Sequence, residues 1–163
     1  MEALNCECAG WCPQLKRGSL GREVRIIDGM VSVRRPFPTG GLELTVTYCT
    51  GSQSSYLHLP TLTPILCPIF GRALYEGSLN LYATAPVAFP SPARPILAGE
   101  EWLLAPIVLA ETAAGVAARK ARSGDVSFIE VFAPDKLAPL LGLKPGSHLM
   151  VRLLNGEVLE RAA

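Results

Sequence analysis

Between Leu42 and Tyr48 the sequence alternates without a break. Leu42, Leu44, Val46 and Tyr48 fall on one side, and Glu43, Thr45 and Thr47 on the other. Successive side chains of a strand point to opposite faces, so this run predicts a half-buried β-strand. Such a strand needs partners, and they occur as short pieces along the chain. Residues 23–33 read as strand, with Val24, Ile26, Met30 and Val31 and a break at Asp28-Gly29. Trp102 to Ala110 is short and apolar enough to be a buried strand, and Val116 to Ala121 returns after a turn over 111–115. The stretch from Val126 to Val131 is strand-like, and Leu149, Val151 and Leu153 alternate with Met150 and Arg152 as a final long strand. Asn155-Gly156 predicts a hairpin that folds Glu157 to Glu160 back as a short edge strand.

Helices are expected to be few and broken. Thr63-Pro64 starts one that runs through Phe70 to a stop at Gly71, shortened or distorted by Pro68. Asp135 to Leu141 makes a second, limited by Pro139. The segments 34–41, 50–60 and 86–95 carry the Pro, Gly, Ser and Thr of connections. About six strands separated by turn signals predict a mainly β domain closed into a barrel, with one or two short helices.

At 163 residues the chain has the length of one domain. Residues 23–163 are expected to form it, with 1–22 as an extension outside the core. With 49% hydrophobic and 18% charged residues, disorder is not expected. A net charge of +1 gives no electrostatic reason for nucleic acid or an acidic membrane as partner. No apolar run reaches the roughly 18 residues of a membrane helix, and the first residues lack a signal peptide's basic flank, so the cytoplasm is the expected location. Cys6, Cys8 and Cys12 form a close trio, one short of the usual four zinc ligands, while Cys49 and Cys67 stand alone. A loosely held tail with reduced thiols is the expected reading of the trio.

Chemistry is concentrated in Leu74-Tyr75-Glu76-Gly77-Ser78-Leu79-Asn80-Leu81. Gly77 offers a backbone able to take φ > 0 or to allow a close approach. In an extended strand, Ser78 and Asn80 project together, roughly 6.6–7 Å apart, while Leu79 and Leu81 point into a core. Two neutral oxygen donors beside a glycine suit a hard cation such as Mg²⁺, whose other ligands would be water and phosphate. A strand with a merely polar outer face fits the same spacing.

This stretch resembles the Pro-Tyr-Xaa-Gly-Thr-Leu-Asn-Val/Leu segment of the archaeal-type CTP-dependent riboflavin kinases, with Leu74 in place of the proline. Phe128-Ile129-Glu130-Val131-Phe132-Ala133-Pro134 is similar to that family's Ile-Glu-Ile-Ile-Ala-Pro, and Leu140 to Gly146 to its turn into the last strand. Arg25 to Val31 resembles its first strand. The likeness spans about residues 25–153. It implies a six-stranded cradle-loop barrel that transfers a phosphoryl group from CTP to the 5′-hydroxyl of riboflavin, giving FMN. Ser78 and Asn80 would hold Mg²⁺, and Glu130 and Arg122 would lie by the flavin. Arg34, Arg35, Thr39, Gly40, Gly41 and Lys136 would meet the nucleotide's phosphates.

Two positions depart from the pattern. The family's glycine-rich phosphate loop is reduced here to Gly40-Gly41 after two prolines, which lack the N–H a phosphate cradle uses. Ala138 stands where the family tends to have arginine. These departures motivate an alternative: a homologue that binds a flavin, nucleotide or other phosphorylated small molecule without kinase activity. No Walker-type loop is present, and with two histidines no Ser-His-Asp or Cys-His constellation is apparent.

Overall fold

The computed structural model describes residues 24–27, 30–33, 41–51 and 55–160. The cysteine trio and Arg34, Arg35, Thr39 and Gly40 lie outside them. The described elements are β1 (Val24–Ile27), β2 (Met30–Val33), β3 (Leu42–Cys49), α1 (Ser55–Phe70), β4 (Leu79–Ala83), β5 (Ile96–Leu97), β6 (Glu100–Leu109), β7 (Ala113–Lys120), β8 (Phe128–Phe132), α2 (Leu137–Leu140), β9 (His148–Leu153) and α3 (Glu157–Glu160).

Six strands close on themselves in the order β6-β7-β8-β4-β3-β9, with β9 pairing back onto β6; β5 adds a seventh at the edge of β6. Every pairing in this sheet is antiparallel. The mainly β barrel expected from the strand spacing is therefore the architecture. Within the strand-like run expected over 23–33, β1 and β2 pair antiparallel with each other in a separate two-stranded sheet.

Alternation along each strand divides the apolar residues between two cores. Val46, Leu81, Ile107, Ile129, Val151 and Leu153 point into the barrel. The opposite faces of β6, β7 and β8 present Trp102, Leu104, Val116, Ala118 and Phe132, and α1 lies across them with Leu62, Leu66, Ile69 and Phe70. Arg119 is buried near the C-terminal end of β7. Its guanidinium donates to the carbonyls of Val126 (2.8 Å) and Val87 (2.7 Å) and lies 4.8 Å from the centre of the Phe89 ring.

Two expectations are corrected. Helix α1 runs 16 residues from Ser55, starting well before Thr63, despite Pro60, Pro64 and Pro68. The three prolines are four residues apart and so share one face. Pro60 and Pro64 are exposed and Pro68 is half-buried. The carbonyls that lose donors therefore lie on the outer side, and the buried face keeps its bonds. Gly71 ends the helix as expected, at φ 71° with its N–H donated to the Cys67 carbonyl. The second correction concerns 157–160, which form a helical turn and not an edge strand. Both edges of β9 are already taken, by β3 and β6, so a returning strand has nothing to pair with. Asn155 instead caps the turn through its Oδ1, which accepts the Glu157 N–H at 2.9 Å, and Leu159 is buried in the outer core.

Candidate functional site

Beyond the N-terminal half of α1 the outer core gives way to a cleft. Its floor is the outer face of β4 and β8. Leu79 and Leu81 point into the barrel at 3% and 0% exposure, so Ser78 and Asn80 face the other way. In the β4–β8 ladder Asn80 stands directly opposite Glu130, and on the far side of β8 Glu130 stands opposite Ala118. Just before β4, Gly77 donates its N–H to the Tyr75 carbonyl, and Tyr75 donates to Ala133 at the end of β8. This tight turn delivers Ser78 beside Glu130, and the Ser78 hydroxyl donates to Oε1 of Glu130 at 2.7 Å. Gly77 does not use a positive φ. It lacks a Cβ because one would come within 2.7 Å of the Tyr75 ring.

The Asn80 amide is held by a second close approach. A Cβ on Gly51 would sit 1.7 Å from Asn80 Nδ2 and 3.5 Å from its Oδ1. The amide nitrogen thus leans on bare Gly51 backbone, and the oxygen is turned away from it. Ser78, Asn80 and Glu130 therefore line one cavity of about 660 Å³, which Glu76 and Asp135 also border, with Lys136 on its wall 5.8 Å from the centre of the Tyr75 ring. Ser55, in the first turn of α1, lines the same cavity, and first-turn N–H groups have no acceptor inside their helix.

Glu130 is 7% exposed. Burial pushes its carboxyl above the ordinary carboxylate range, and the Ser78 hydroxyl and the charge of His58 partly offset the rise. A second cavity, of about 600 Å³, adjoins the first and is lined by Trp102, Lys120 and Arg122 among others. His58, Phe128 and Glu130 line both. The three basic residues around the end of β7, Arg119, Lys120 and Arg122, all border this second cavity. The Arg119 guanidinium is held by the Val126 and Val87 carbonyls, and Lys120 pairs with Glu100 at 2.6 Å above the Trp102 ring.

The structure therefore brings Ser78, Asn80, Glu130 and Lys136 to one cavity and Arg122 to its neighbour. Gly41 joins neither. It opens β3 at φ 107°, where a Cβ would lie 2.4 Å from the Leu153 carbonyl oxygen. Ala138 lines the first cavity with a methyl group. His58 and Trp102 are cleft residues that sequence reasoning did not select, and nothing in their local spacing marks them; Tyr75, inside the 74–81 stretch, lines the first cavity as well. Among the described residues no group of three or more His, Cys, Asp or Glu is placed to hold a metal ion. Ser78 and Asn80 form a different kind of set, neutral oxygens that suit a cation keeping most of its water. No protein-family model matches the chain, and no curated protein does.

Proposed function

We propose that the protein is a Mg²⁺-assisted phosphotransferase that uses CTP to phosphorylate the 5′-hydroxyl of riboflavin. The observation that carries this reading is the pairing of the two cavities. Ser78, Asn80 and Lys136 line the first, Arg122 lines the second, and Glu130 stands on the wall between them. Phosphoryl transfer asks a protein chiefly to position donor and acceptor in line and to neutralise charge. The first cavity takes the triphosphate. Ser78 and Asn80 would hold Mg²⁺, which neutralises phosphate charge when bound, Lys136 adds a cation, and the first turn of α1 adds backbone N–H groups. The second takes the flavin ring beside Trp102 and Arg122, with its ribityl chain directed at Glu130. The similarity of residues 74–81 and 128–134 to the riboflavin kinases supports the same assignment.

In this reading Asn80→Ala abolishes Mg²⁺-dependent FMN formation and leaves the fold intact, as checked by circular dichroism. A variant with full activity would remove Asn80 from the site. One observation favours a second reading, a flavin-binding homologue without kinase activity: Ala138 brings a methyl group to the phosphate lobe where the riboflavin kinases tend to carry arginine. Quenching of riboflavin fluorescence with no CTP-dependent FMN would select it.

A further inference from the structure

Among the described residues three line both cavities, and two of them can take a proton: Glu130 and His58. Glu130 already accepts the Ser78 hydroxyl at 2.7 Å. The Glu130 and His58 side chains border the same two cavities. His58 projects from the end of the first turn of α1 and stands edge-on to the Trp102 ring, with centroids 5.3 Å apart and planes at 73°. That contact sets the ring's position at the boundary between the lobes. A donor in the first lobe and an acceptor in the second meet at this boundary, so the hydroxyl that attacks lies within the reach of His58.

Resting on the phosphotransferase reading, we infer that His58 is a catalytic residue, the proton acceptor for the attacking hydroxyl. The hydroxyl oxygen forms a bond to the terminal phosphorus of the nucleoside triphosphate. The bond from that phosphorus to the bridging oxygen breaks, and its electron pair leaves with the nucleoside diphosphate. The hydroxyl proton passes to an imidazole nitrogen of His58 and from there to water. General-base assistance of this kind contributes about 10²–10⁴-fold. Glu130, fixed by Ser78 on the same boundary, stabilises the charge that the imidazole acquires.

The chain has two histidines, which makes the test clean. His148 sits on the outer surface of the barrel, hydrogen-bonded to Thr47 Oγ1 at 3.0 Å, and lines neither cavity. His58→Gln keeps a planar polar group against Trp102 and cannot take the proton. Its kcat should fall about 10²–10⁴-fold with KM for CTP and riboflavin nearly unchanged. His58→Ala should show the same loss and regain part of it with added imidazole. His148→Gln should behave as wild type. Full kcat in His58→Gln would overturn the inference.

A readout free of turnover separates this inference from the reading it rests on. With riboflavin added to the ¹⁵N-labelled wild-type chain, the His58 ring nitrogens should shift and those of His148 should not. Riboflavin bound, by fluorescence quenching, with both sets unmoved would overturn the role of His58 even if FMN is made. A shift at His58 without FMN formation would overturn the phosphotransferase reading and retain His58 as the residue that meets the acceptor. Absence of riboflavin binding would overturn both.

Discussion

At the scale of single residues, Asn80 and Glu130 are held by opposite means. Asn80 is oriented by an absence: the missing side chain of Gly51 makes room for its Nδ2. Gly51→Ala should push the amide aside and lose Mg²⁺-dependent activity almost as fully as Asn80→Ala. Because the displaced atoms end a flexible side chain, the melting temperature should change little. Calorimetric Mg²⁺ titration and a thermal melt check the two halves of that statement. Glu130 is held by the Ser78 hydroxyl in a place that disfavours its charge. The folded state therefore binds this proton more tightly than the unfolded one. Its contribution to stability falls as pH rises from the ordinary carboxylate value through the raised one, and the full penalty stands at neutral pH. Glu130→Gln keeps an acceptor for Ser78 and removes the penalty. It should melt higher at pH 7, by about 2–4 °C if the penalty is about 1 kcal/mol, with no gain at pH 4. An equal gain at both pH values would show that desolvation of the charge is not the cause. The pair Ser78–Asn80 was legible because a period of two is local information, and Glu130 because a carboxylate among Phe128, Ile129, Val131 and Phe132 needs a partner or a cavity. Neither Gly51 under Asn80 nor His58 between the cavities could be read, since both contacts join segments more than 20 residues apart in sequence.

At the scale of elements, α1 positions the cleft wall, and its stability comes from one face. Leu62, Leu66 and Phe70 are fully buried against Trp102, Leu104 and Phe132. Leu66→Ala should cost about 2–5 kcal/mol in chemical denaturation, the range for a large core side chain cut to alanine. Pro64→Ala, on the exposed face, restores an N–H and should be neutral or stabilising; a large loss there would mean that the proline stripe does more than tolerate solvent. The strands were legible from alternation and from apolar runs bounded by turns. On sequence alone the helix starts at Thr63-Pro64 and Pro68 counts as a break, whereas three prolines four residues apart put all their missing bonds on the wet side. The tail at 157–160 was misread for a reason outside its own residues. Asn155-Gly156 is a fair hairpin signal, but closure of the barrel had used both edges of β9.

At the scale of the whole molecule, closure makes the site two-sided. The barrel fills its interior with Leu, Ile, Val and Ala and leaves chemistry to the outer face of β4 and β8, where α1 covers one part and stops short of the rest. No described helix is long and apolar enough to cross a membrane. The two adjoining cavities are of similar size and share Glu130 and His58, and in the proposed function each takes one substrate. The most direct test is turnover: purified full-length protein, riboflavin and Mg²⁺, with CTP and ATP in parallel and FMN followed by chromatography. FMN formed with CTP, and not with ATP, is the expected result. No FMN with either donor, from protein shown to be folded, would contradict it and make the paired cavities those of a binding protein.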